Sequence, residues 1–584
     1  MAKKILVVLS LALGLTNPLF AQNTNLQLGE NEYYLLDRLE TKSGKLSDRL
    51  FLTGKPVSRK DLVDFLSNTS PIRMVEKHYT LDGENLKSTT VPHEFDQIDS
   101  YNSRSALSIN AEWTPNEEGA IKTKKPWLKT FYKAQANFFE VNNKDFFLAV
   151  NPVISAQYMR EQVTVGGVST SQNLLASSRG IELRGRIANK VGFYTYIADN
   201  QEQPNSYVAN WIVKNQAVPG ADYYQNGTGS KTYDYMQARG YIDFAVVKNY
   251  VNITAGYDKN FIGDGIRSLF LSDFSGSSSF VKINTKIWKL NYQNIYSEII
   301  PAYERGADRQ LPVKYSTTHF LSINATKWLN VGLFENVIFQ RGDHFSFGYL
   351  NPIIFFRAIE RGYGSPDNVN LGFSAKAIPV KNVQIYGQIF LDEFRSKELF
   401  SSNKWWGNKY GIQIGAKYFD AFTIKNLDLQ FEMNRVRPYA YSHSDSITNY
   451  SHYNQPIAHP LGSGFVEIIG IATYSPIKKL ILTGKLMYYE KGVDTGGLNY
   501  GNDIFRSYNT VANQYGVKMI NGLSSQCMLA SFNGSYKIAE RLFFDLGFIY
   551  RTYKYDGNYY PEQKSLSIYS GIRLNIARRA YDFM

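Results

Sequence analysis

The stretch from Tyr257 to Ser272 carries the most specific pattern of residues for ligand chemistry. It leaves one apolar run, turns at Gly263-Asp264-Gly265 and enters a second apolar run. Two glycines permit a tight turn that side chains would block, and the Asp264 carboxylate can accept hydrogen bonds from backbone or ligand. The stretch lacks the Gly-Lys-Ser/Thr ending and the following helix of a phosphate-binding loop. It therefore indicates a structured polar turn and not a nucleotide site.

A second group combines histidines and tyrosines in one stretch that we expect to be an external loop. The histidines are not spaced as in a metal-binding motif such as H-E-x-x-H. A metal or catalytic cluster is one interpretation, and a hydrated loop whose rings stack on sugars is the favoured one. The residues concerned are His443, Asp445, His452 and His459, with Tyr439, Tyr441, Tyr450 and Tyr453 among them.

Trp405 and Trp406 end another predicted loop. Such rings form either a platform for a sugar or part of the aromatic girdle of a membrane protein, and the girdle is the favoured interpretation. No catalytic constellation stands out, so we expect neither enzymatic activity nor a cofactor or bound metal. The external candidates for ligand binding are Tyr441, Tyr450, Tyr453, Trp405 and Trp406.

The elements that must position these residues are predicted β-strands. In the segment 427–434, Leu427, Leu429, Phe431 and Met433 alternate with polar residues, and similar alternation recurs along the last four-fifths of the chain. Successive side chains of a strand face opposite sides of the sheet, so lipid outside and a wet lumen inside require this pattern. A soluble β-sandwich also alternates, so the pattern alone does not decide between the two.

Three further features favour a membrane barrel. Residues 1–21 have the basic start, short apolar run and small final residue of a signal peptide, which predicts export to the outer membrane. The chain is 15% aromatic but has a mean hydropathy of −0.31, as expected for a barrel with aromatic interfaces and a polar lumen. Short connections alternate with long polar ones, as periplasmic turns alternate with external loops. The short connections lie near residues 142–144, 188–190, 247–249, 286–288, 326–328, 379–382, 420–425, 476–479 and 538–541.

The connections also set the number of strands. The nine short turns imply eighteen flanking strands, of which the first is 127–141. A final strand at 564–576 and an early strand at Ala106 to Trp113 bring the number to twenty. One miscounted hairpin would give eighteen, so the prediction is an all-β fold, an antiparallel outer-membrane barrel of 18 to 20 strands over residues 101–584. A barrel of this size has an open or plugged lumen.

Residues 22–100 differ from the rest and predict a small helical element. Tyr33 to Leu39 has apolar residues at helical spacing, and Ser58 to Leu62 follows Pro56 as a capped short helix. We expect this element in the periplasm or in the barrel mouth.

The net charge of +13 comes from basic residues that are dispersed along the chain. This distribution favours a solvated lumen and rim, and it excludes a basic block of the kind that binds nucleic acid. The single Cys527 is expected to pack without forming a disulfide.

The glycine turn followed by Ser-Leu-x-Leu-Ser resembles the signature of the Wzi-like capsule assembly proteins, outer-membrane barrels that attach capsular polysaccharide. Pro56 to Leu62 is similar to the periplasmic helical element of that family. Phe261 and Ile262 stand where the family usually has two tryptophans. Phe347 to Ile353 and the region 249–392 are closer to RemB-like proteins of gliding bacteria. The ligand-binding candidates that this resemblance implies are Gly263, Asp264, Gly265, Arg267 and Ser268.

Three functions remain open from the sequence. The favoured one is a non-enzymatic protein that binds or organises surface polysaccharide, in capsule attachment, gliding motility or adhesion. Its expected partners are outer-membrane lipid, surface polysaccharide and gliding or secretion machinery. The alternatives are a channel or transporter for a small solute or glycan and, least favoured, an outer-membrane hydrolase.

Overall fold

The structure is a computed structural model, and it describes a large part of the chain. The residues described are 24–69, 78–82, 85–89, 95–114, 136–188, 190–222, 224–226, 231–247, 250–301, 311–342, 344–353, 355–364, 366–393, 395–399 and 402–583. The predicted signal peptide and residues 127–135 of the predicted strand 127–141 lie outside these ranges.

Within the described residues, eighteen antiparallel strands close into a barrel, in which the last strand pairs with the first. The strands are β1 Phe146–Val165, β2 Val168–Ile187, β3 Val191–Glu202, β4 Tyr233–Val247, β5 Val251–Asp258, β6 Ser278–Ile287, β7 Leu290–Ile299, β8 Lys314–Asn324, β9 Leu329–Phe339, β10 Asn368–Val380, β11 Val383–Glu393, β12 Lys409–Tyr418, β13 Leu427–Val436, β14 Phe465–Ile477, β15 Leu480–Val493, β16 Leu523–Ala539, β17 Leu542–Tyr555 and β18 Gln563–Leu574.

Shorter elements lie in the connections and ahead of the barrel. The helices are α1 Asn31–Ser43, α2 Arg59–Thr69, α3 Gln97–Ile109, α4 Ser206–Asn215, α5 Phe356–Gly362 and α6 Ser396–Leu399, with 3₁₀ turns at Phe347–Leu350, Ala421–Thr423, Ser446–Thr448, Tyr508–Thr510 and Asp556–Asn558. The short strands are Gly54–Lys55, His78–Asp82, Asn85–Thr89, Phe139–Asn142, Gln225–Asn226, Phe261–Ile262, Ser451–His452 and Gln455–Pro456. No helix in the described ranges is both long and apolar enough to span a bilayer.

The alternation of side chains has the predicted orientation. On β13, Phe431 is 50% exposed on the outer face, whereas Glu432 and Asn434 are fully buried inside. Apolar side chains such as Ile154 and Leu546 are similarly exposed on other strands. A closed barrel has no free edge, and its backbone groups are paired between strands, as a lipid environment requires. The predicted architecture is confirmed.

The strand count corrects one expectation. Ala106 to Trp113 is not a barrel strand, because its first residues end α3 and the rest form a turn. Phe139–Asn142 is a strand of four residues that pairs only with the base of β1. The predicted short turns join consecutive strands at one end of the barrel, so the difference in count comes from the residues before β1.

The three N-terminal helices form one small apolar core, so the helical element extends beyond residue 100. Its centre consists of Leu36, Leu39, Leu62, Leu66 and Leu107, all almost fully buried. The predicted cap of α2 is present, since Ser58 Oγ accepts a hydrogen bond from the Asp61 N–H at 3.3 Å.

Buried ion pairs fix this helical element to the short-turn end of the barrel. Arg38 of α1 lies 2.7 Å from Asp99 of α3 and 2.6 Å from Asp420 in the turn after β12, and it also contacts Asp428 of β13. Elsewhere on the rim, Arg541 lies 2.9 Å from Glu30. Other pairs are Lys286 with Asp61 and Lys376 with Glu40. The element therefore occupies the barrel mouth, one of the two predicted positions.

The lumen is filled rather than open. Residues 261–272 and the loop 437–464 fold inward and share one apolar cluster with the barrel wall. At its centre, Phe270 stacks on Phe334 of β9 with ring centroids 4.5 Å apart. Residues 575–583 also lie inside, where Asp582 contacts Arg267 and Lys485. Of the two predicted lumen states, the structure has the plugged one.

Candidate functional site

The glycine turn lies inside the barrel against the N-terminal helical element. The short strand Phe261–Ile262 pairs antiparallel with Gly54–Lys55. The Gly263 N–H donates to the Thr53 carbonyl at 2.7 Å, and Thr53 Oγ1 donates to Asp264 at 2.9 Å. Segments more than 200 residues apart in the chain are therefore joined by backbone pairing and by a side chain of the turn.

The turn needs glycine because of close approach and not because of unusual backbone angles. Neither Gly263 nor Gly265 has a positive φ. A Cβ on Gly265 would lie 2.3 Å from Glu432 Oε2 and 2.9 Å from the Arg267 carbonyl. Glu432 accepts hydrogen bonds from the N–H groups of Ile266 and Arg267 at 2.7 and 3.1 Å. Its carboxylate thus occupies the space where a side chain would project.

Arg267 and Ser268 also have partners within the protein. Arg267 lies 3.3 Å from Glu467 of β14 and donates to the Asp582 carbonyl at 2.9 Å. Ser268 Oγ donates to the Ile262 carbonyl at 2.5 Å. Ligand binding by these turn residues remains a prediction, and their contacts show a second role in which they hold the plug together.

Two of the predicted external tyrosines donate hydrogen bonds to the segment that follows this turn. Tyr441 and Tyr450 stack with ring centroids 5.4 Å apart, and each is 1% exposed. Their hydroxyls donate to the carbonyls of Leu269 and Phe270 at 2.9 and 2.7 Å. The expected exposed platform does not apply to these rings, because the loop that carries them folds into the barrel and removes both from solvent.

Each histidine of the loop 437–464 contacts different hydrogen-bond partners. His452 Nδ1 accepts from the Ile300 N–H at 2.9 Å and its Nε2 is 2.7 Å from the Ser277 carbonyl, which defines a neutral ring with hydrogen on Nε2. Burial lowers the pKa of His452 to about 4. His459 Nε2 lies 2.8 Å from Glu467, and His443 Nδ1 lies 2.7 Å from Thr448 Oγ1. Over the described ranges, no three His, Cys, Asp or Glu side chains are grouped to hold a metal.

Trp405 and Trp406 belong to a cluster of long-loop residues, so the girdle interpretation is wrong. Trp406 lies 5.2 Å from Tyr508 between ring centroids, and its Nε1–H donates to Gln514 Oε1 at 2.7 Å. Arg395 is exposed and lies 4.6 Å from the Trp405 ring, which is largely buried. Trp406 and Tyr508 remain partly exposed. We call Arg395, Trp405, Trp406, Tyr508 and Gln514 the loop cluster.

Sequence reasoning found only part of this cluster. Trp405 and Trp406 were candidates, whereas Arg395, Tyr508 and Gln514 were not. The stretch 499–515 is rich in Asn and Tyr, which is a usable signal for a polar aromatic surface. Tyr453 is partly exposed and its ring lies 4.4 Å from that of His452, away from the contacts of Trp406.

The segment of RemB-like resemblance lies on the outer face of the barrel. Tyr349 and Phe356 pack against Phe339 of β9 and cover an outward-facing row of polar residues on adjacent strands. The row consists of Asn294, His319 and Glu335, all almost fully buried. Glu335 accepts from the Phe355 N–H at 2.5 Å, so the row anchors the covering segment.

Comparison with known proteins identifies a likeness of fold. No protein-family model and no curated protein sequence matches the chain. The structure resembles that of Wzi, an outer-membrane protein of Escherichia coli involved in group 1 capsule assembly and described as a carbohydrate-binding β-barrel. The likeness has a TM-score of 0.51 at 11% identity and covers 95% of this chain and 100% of Wzi.

Weaker likenesses extend to OprD of Pseudomonas aeruginosa and OccAB2 of Acinetobacter baumannii. OprD has a TM-score of 0.38 at 10% identity and covers 72% of this chain and 95% of its own. OccAB2 has a TM-score of 0.38 at 6% identity and covers 72% and 98%. These two support no argument, whereas the first shows that the chain has the fold of an outer-membrane β-barrel.

Proposed function

We propose that this chain is an outer-membrane β-barrel whose external loops bind or organise cell-surface polysaccharide, in capsule attachment, gliding or adhesion. The loop cluster is the observation that supports the proposal most directly. Trp406 and Tyr508 present partly exposed rings, and the exposed Arg395 guanidinium lies against the neighbouring Trp405 ring. Aromatic faces bind the apolar faces of sugars, and a guanidinium pairs with carboxylate or phosphate groups of acidic glycans.

The filled lumen adds support. The helical element occupies the barrel mouth at the short-turn end, and the glycine turn and the loop 437–464 occupy the interior, so the other long loops are the surface left for a large ligand. Each loop contact with a sugar is weak, and repeated units of a polymer engage such contacts together. The likeness of fold to a carbohydrate-binding barrel is consistent with this assignment.

Deletion of the gene in its native host tests the proposal. We expect less polysaccharide retained at the cell surface by staining, impaired spreading or adhesion, and unchanged growth on small nutrients. Complementation with the natural chain restores retention, and complementation with Trp406→Ala does not. Normal surface polysaccharide together with impaired uptake of a small nutrient would contradict the proposal and favour a transporter.

A further inference from the structure

The turns at the short-turn end of the barrel form a basic rim. These turns are 143–145, 188–190, 248–250, 288–289, 325–328, 381–382, 419–426, 478–479 and 540–541. Each of them contains at least one Lys or Arg, whereas only three of them contain a carboxylate. The basic residues are Lys144, Lys190, Lys248, Lys289, Lys327, Lys381, Lys425, Lys478, Lys479 and Arg541, of which Lys248 lies outside the described ranges, and the acidic ones are Asp145, Asp420 and Glu540. The rim thus carries an excess of positive charge.

Few of these charges cancel each other. Asp420 and Glu540 have basic partners outside the turns, on α1 and β16, at 2.6 and 2.8 Å. Lys190, Lys327 and Lys425 are exposed, and in the part of the chain that the structure describes none of the three forms an ion pair. The ammonium groups of these three lysines are therefore free for a negatively charged partner.

The apolar outer wall of the barrel reaches as far as this rim. Trp288 is 80% exposed, with Lys289 Nζ 5.5 Å from its ring centroid, and the exposed Trp328 follows Lys327. Exposed Trp rings collect at membrane–water interfaces, so the rim lies where hydrocarbon meets the lipid headgroups. Five strands also end on an isoleucine or valine that is 47–60% exposed and lies at most three residues from a basic turn residue, namely Ile187, Val247, Ile287, Val380 and Ile477.

The combination of charge and apolar surface selects the kind of partner. A lysine lays its methylene stem along an apolar surface and keeps its ammonium group in the polar layer, at the depth of the lipid phosphates. Because the basic residues lie so close to lipid-facing side chains, the surrounding headgroups are nearer to them than any soluble partner. An excess of positive charge prefers an anionic headgroup to a zwitterionic one, since the zwitterionic headgroup carries its own ammonium group.

We infer that the basic rim binds anionic phospholipids of the leaflet around the short-turn end, through the phosphate groups of phosphatidylglycerol or cardiolipin. Lys190, Lys327 and Lys425 supply ammonium groups, and Trp288 and Trp328 anchor the rim at the interface. The inference rests on the membrane location in the proposed function and not on polysaccharide binding, so a failed polysaccharide assay leaves it standing.

The test measures which lipids contact the full mature protein in phosphatidylcholine vesicles. Spin-labelled phosphatidylglycerol, cardiolipin and phosphatidylcholine are added as tracers, and electron paramagnetic resonance gives the fraction of each tracer that the protein immobilises. The rim variant combines Lys190→Gln, Lys327→Gln and Lys425→Gln. The control variant removes the same charge from exposed lysines of the long connections and combines Lys214→Gln, Lys231→Gln and Lys518→Gln. Circular dichroism checks that both variants fold.

We expect the natural chain to bind the anionic tracers at least about twofold more strongly than phosphatidylcholine, because one ammonium group near an anionic surface contributes about fivefold and many lipids in the shell touch no lysine. This preference falls in the rim variant and at roughly 1 M salt, which screens exposed charges, and it is unchanged in the control variant. Selection of only one of the two anionic lipids supports the inference and identifies the source of the phosphate.

Two kinds of result would overturn the inference. Equal binding of all three tracers by the natural chain means that the rim does not select anionic headgroups and leaves a soluble acidic partner as its ligand. A preference that is unchanged in the rim variant, or that falls equally in both variants, assigns the attraction to other residues or to the net charge of the protein.

Discussion

Replacement of Arg38 by methionine is expected to loosen the helical element in the barrel mouth. The guanidinium is 3% exposed and contacts three carboxylates, of Asp99, Asp420 and Asp428. Lys42 remains 2.6 Å from Asp99 and 2.7 Å from Asp420, so the variant leaves excess negative charge buried. Loss of one partner from a buried ionic group costs about 3–5 kcal/mol, which makes the undocked state roughly 150- to 5,000-fold more populated.

Hydrogen–deuterium exchange in nanodiscs measures this population through the amides of residues 31–43. Arg179→Met is the matched control, because Arg179 is 86% exposed in its pair with Asp199 at 2.8 Å. An exposed pair contributes at most about 1 kcal/mol, so the control changes exchange less than roughly fivefold. If Arg38→Met changes the exchange of α1 no more than this control does, the ion pairs do not hold the element in place and the reasoning fails.

Three further outcomes follow from the plugged lumen. Gly265→Ala is expected to displace the turn from Glu432 and to lower the thermal midpoint of unfolding, at a cost of about 1–3 kcal/mol. Gly470→Ala leaves the midpoint unchanged, because a Cβ there meets no neighbour within 4 Å. Equal midpoints for the two variants would contradict the steric argument. The pKa of His452 falls from about 6.5 unfolded to about 4 folded, so its stabilising contribution is complete above about pH 6.5 and is lost as the pH falls towards 4, up to roughly 3 kcal/mol. His452→Gln, which has a donor and an acceptor but does not titrate, should flatten the pH dependence of unfolding in this window, and an unchanged profile would refute the assignment. In planar bilayers the natural protein should show no stable conductance, and steady ohmic channels would contradict a closed lumen.

The barrel itself could be predicted because its signal is local. Alternation in segments such as Leu427 to Asn434 follows from the geometry of any strand between lipid and a polar interior. The prediction of a strand at Ala106 to Trp113 was wrong because a local signal can be ambiguous. Short apolar runs such as Ala106 to Ile109 suit either a strand or a helix. A local signal was present and was missed: Asp96 accepts hydrogen bonds from the N–H groups of Ile98 and Asp99 and caps α3.

The candidate sites were harder to predict, because their environment depends on distant parts of the chain. Tyr441 and Trp406 both lie in polar, aromatic loops of the sequence. One ring is buried against Leu269, and the other is partly exposed beside Tyr508. Local composition does not show which loop folds into the lumen, since that depends on contacts such as Thr53 with Asp264. The sequence therefore predicted residue types suited to sugars without predicting which of them reach solvent.

The most direct measurement of the central claim is binding of fluorescently labelled surface polysaccharide from the host to the purified protein in nanodiscs. Trp406→Ala is compared with Trp288→Ala, which removes an exposed ring from a short turn at the other end of the barrel. We predict saturable binding to the natural chain, roughly tenfold weaker in Trp406→Ala and unchanged in Trp288→Ala. Absence of binding by the natural chain, or equal affinity in all three proteins, would contradict the claim that the external loops hold polysaccharide.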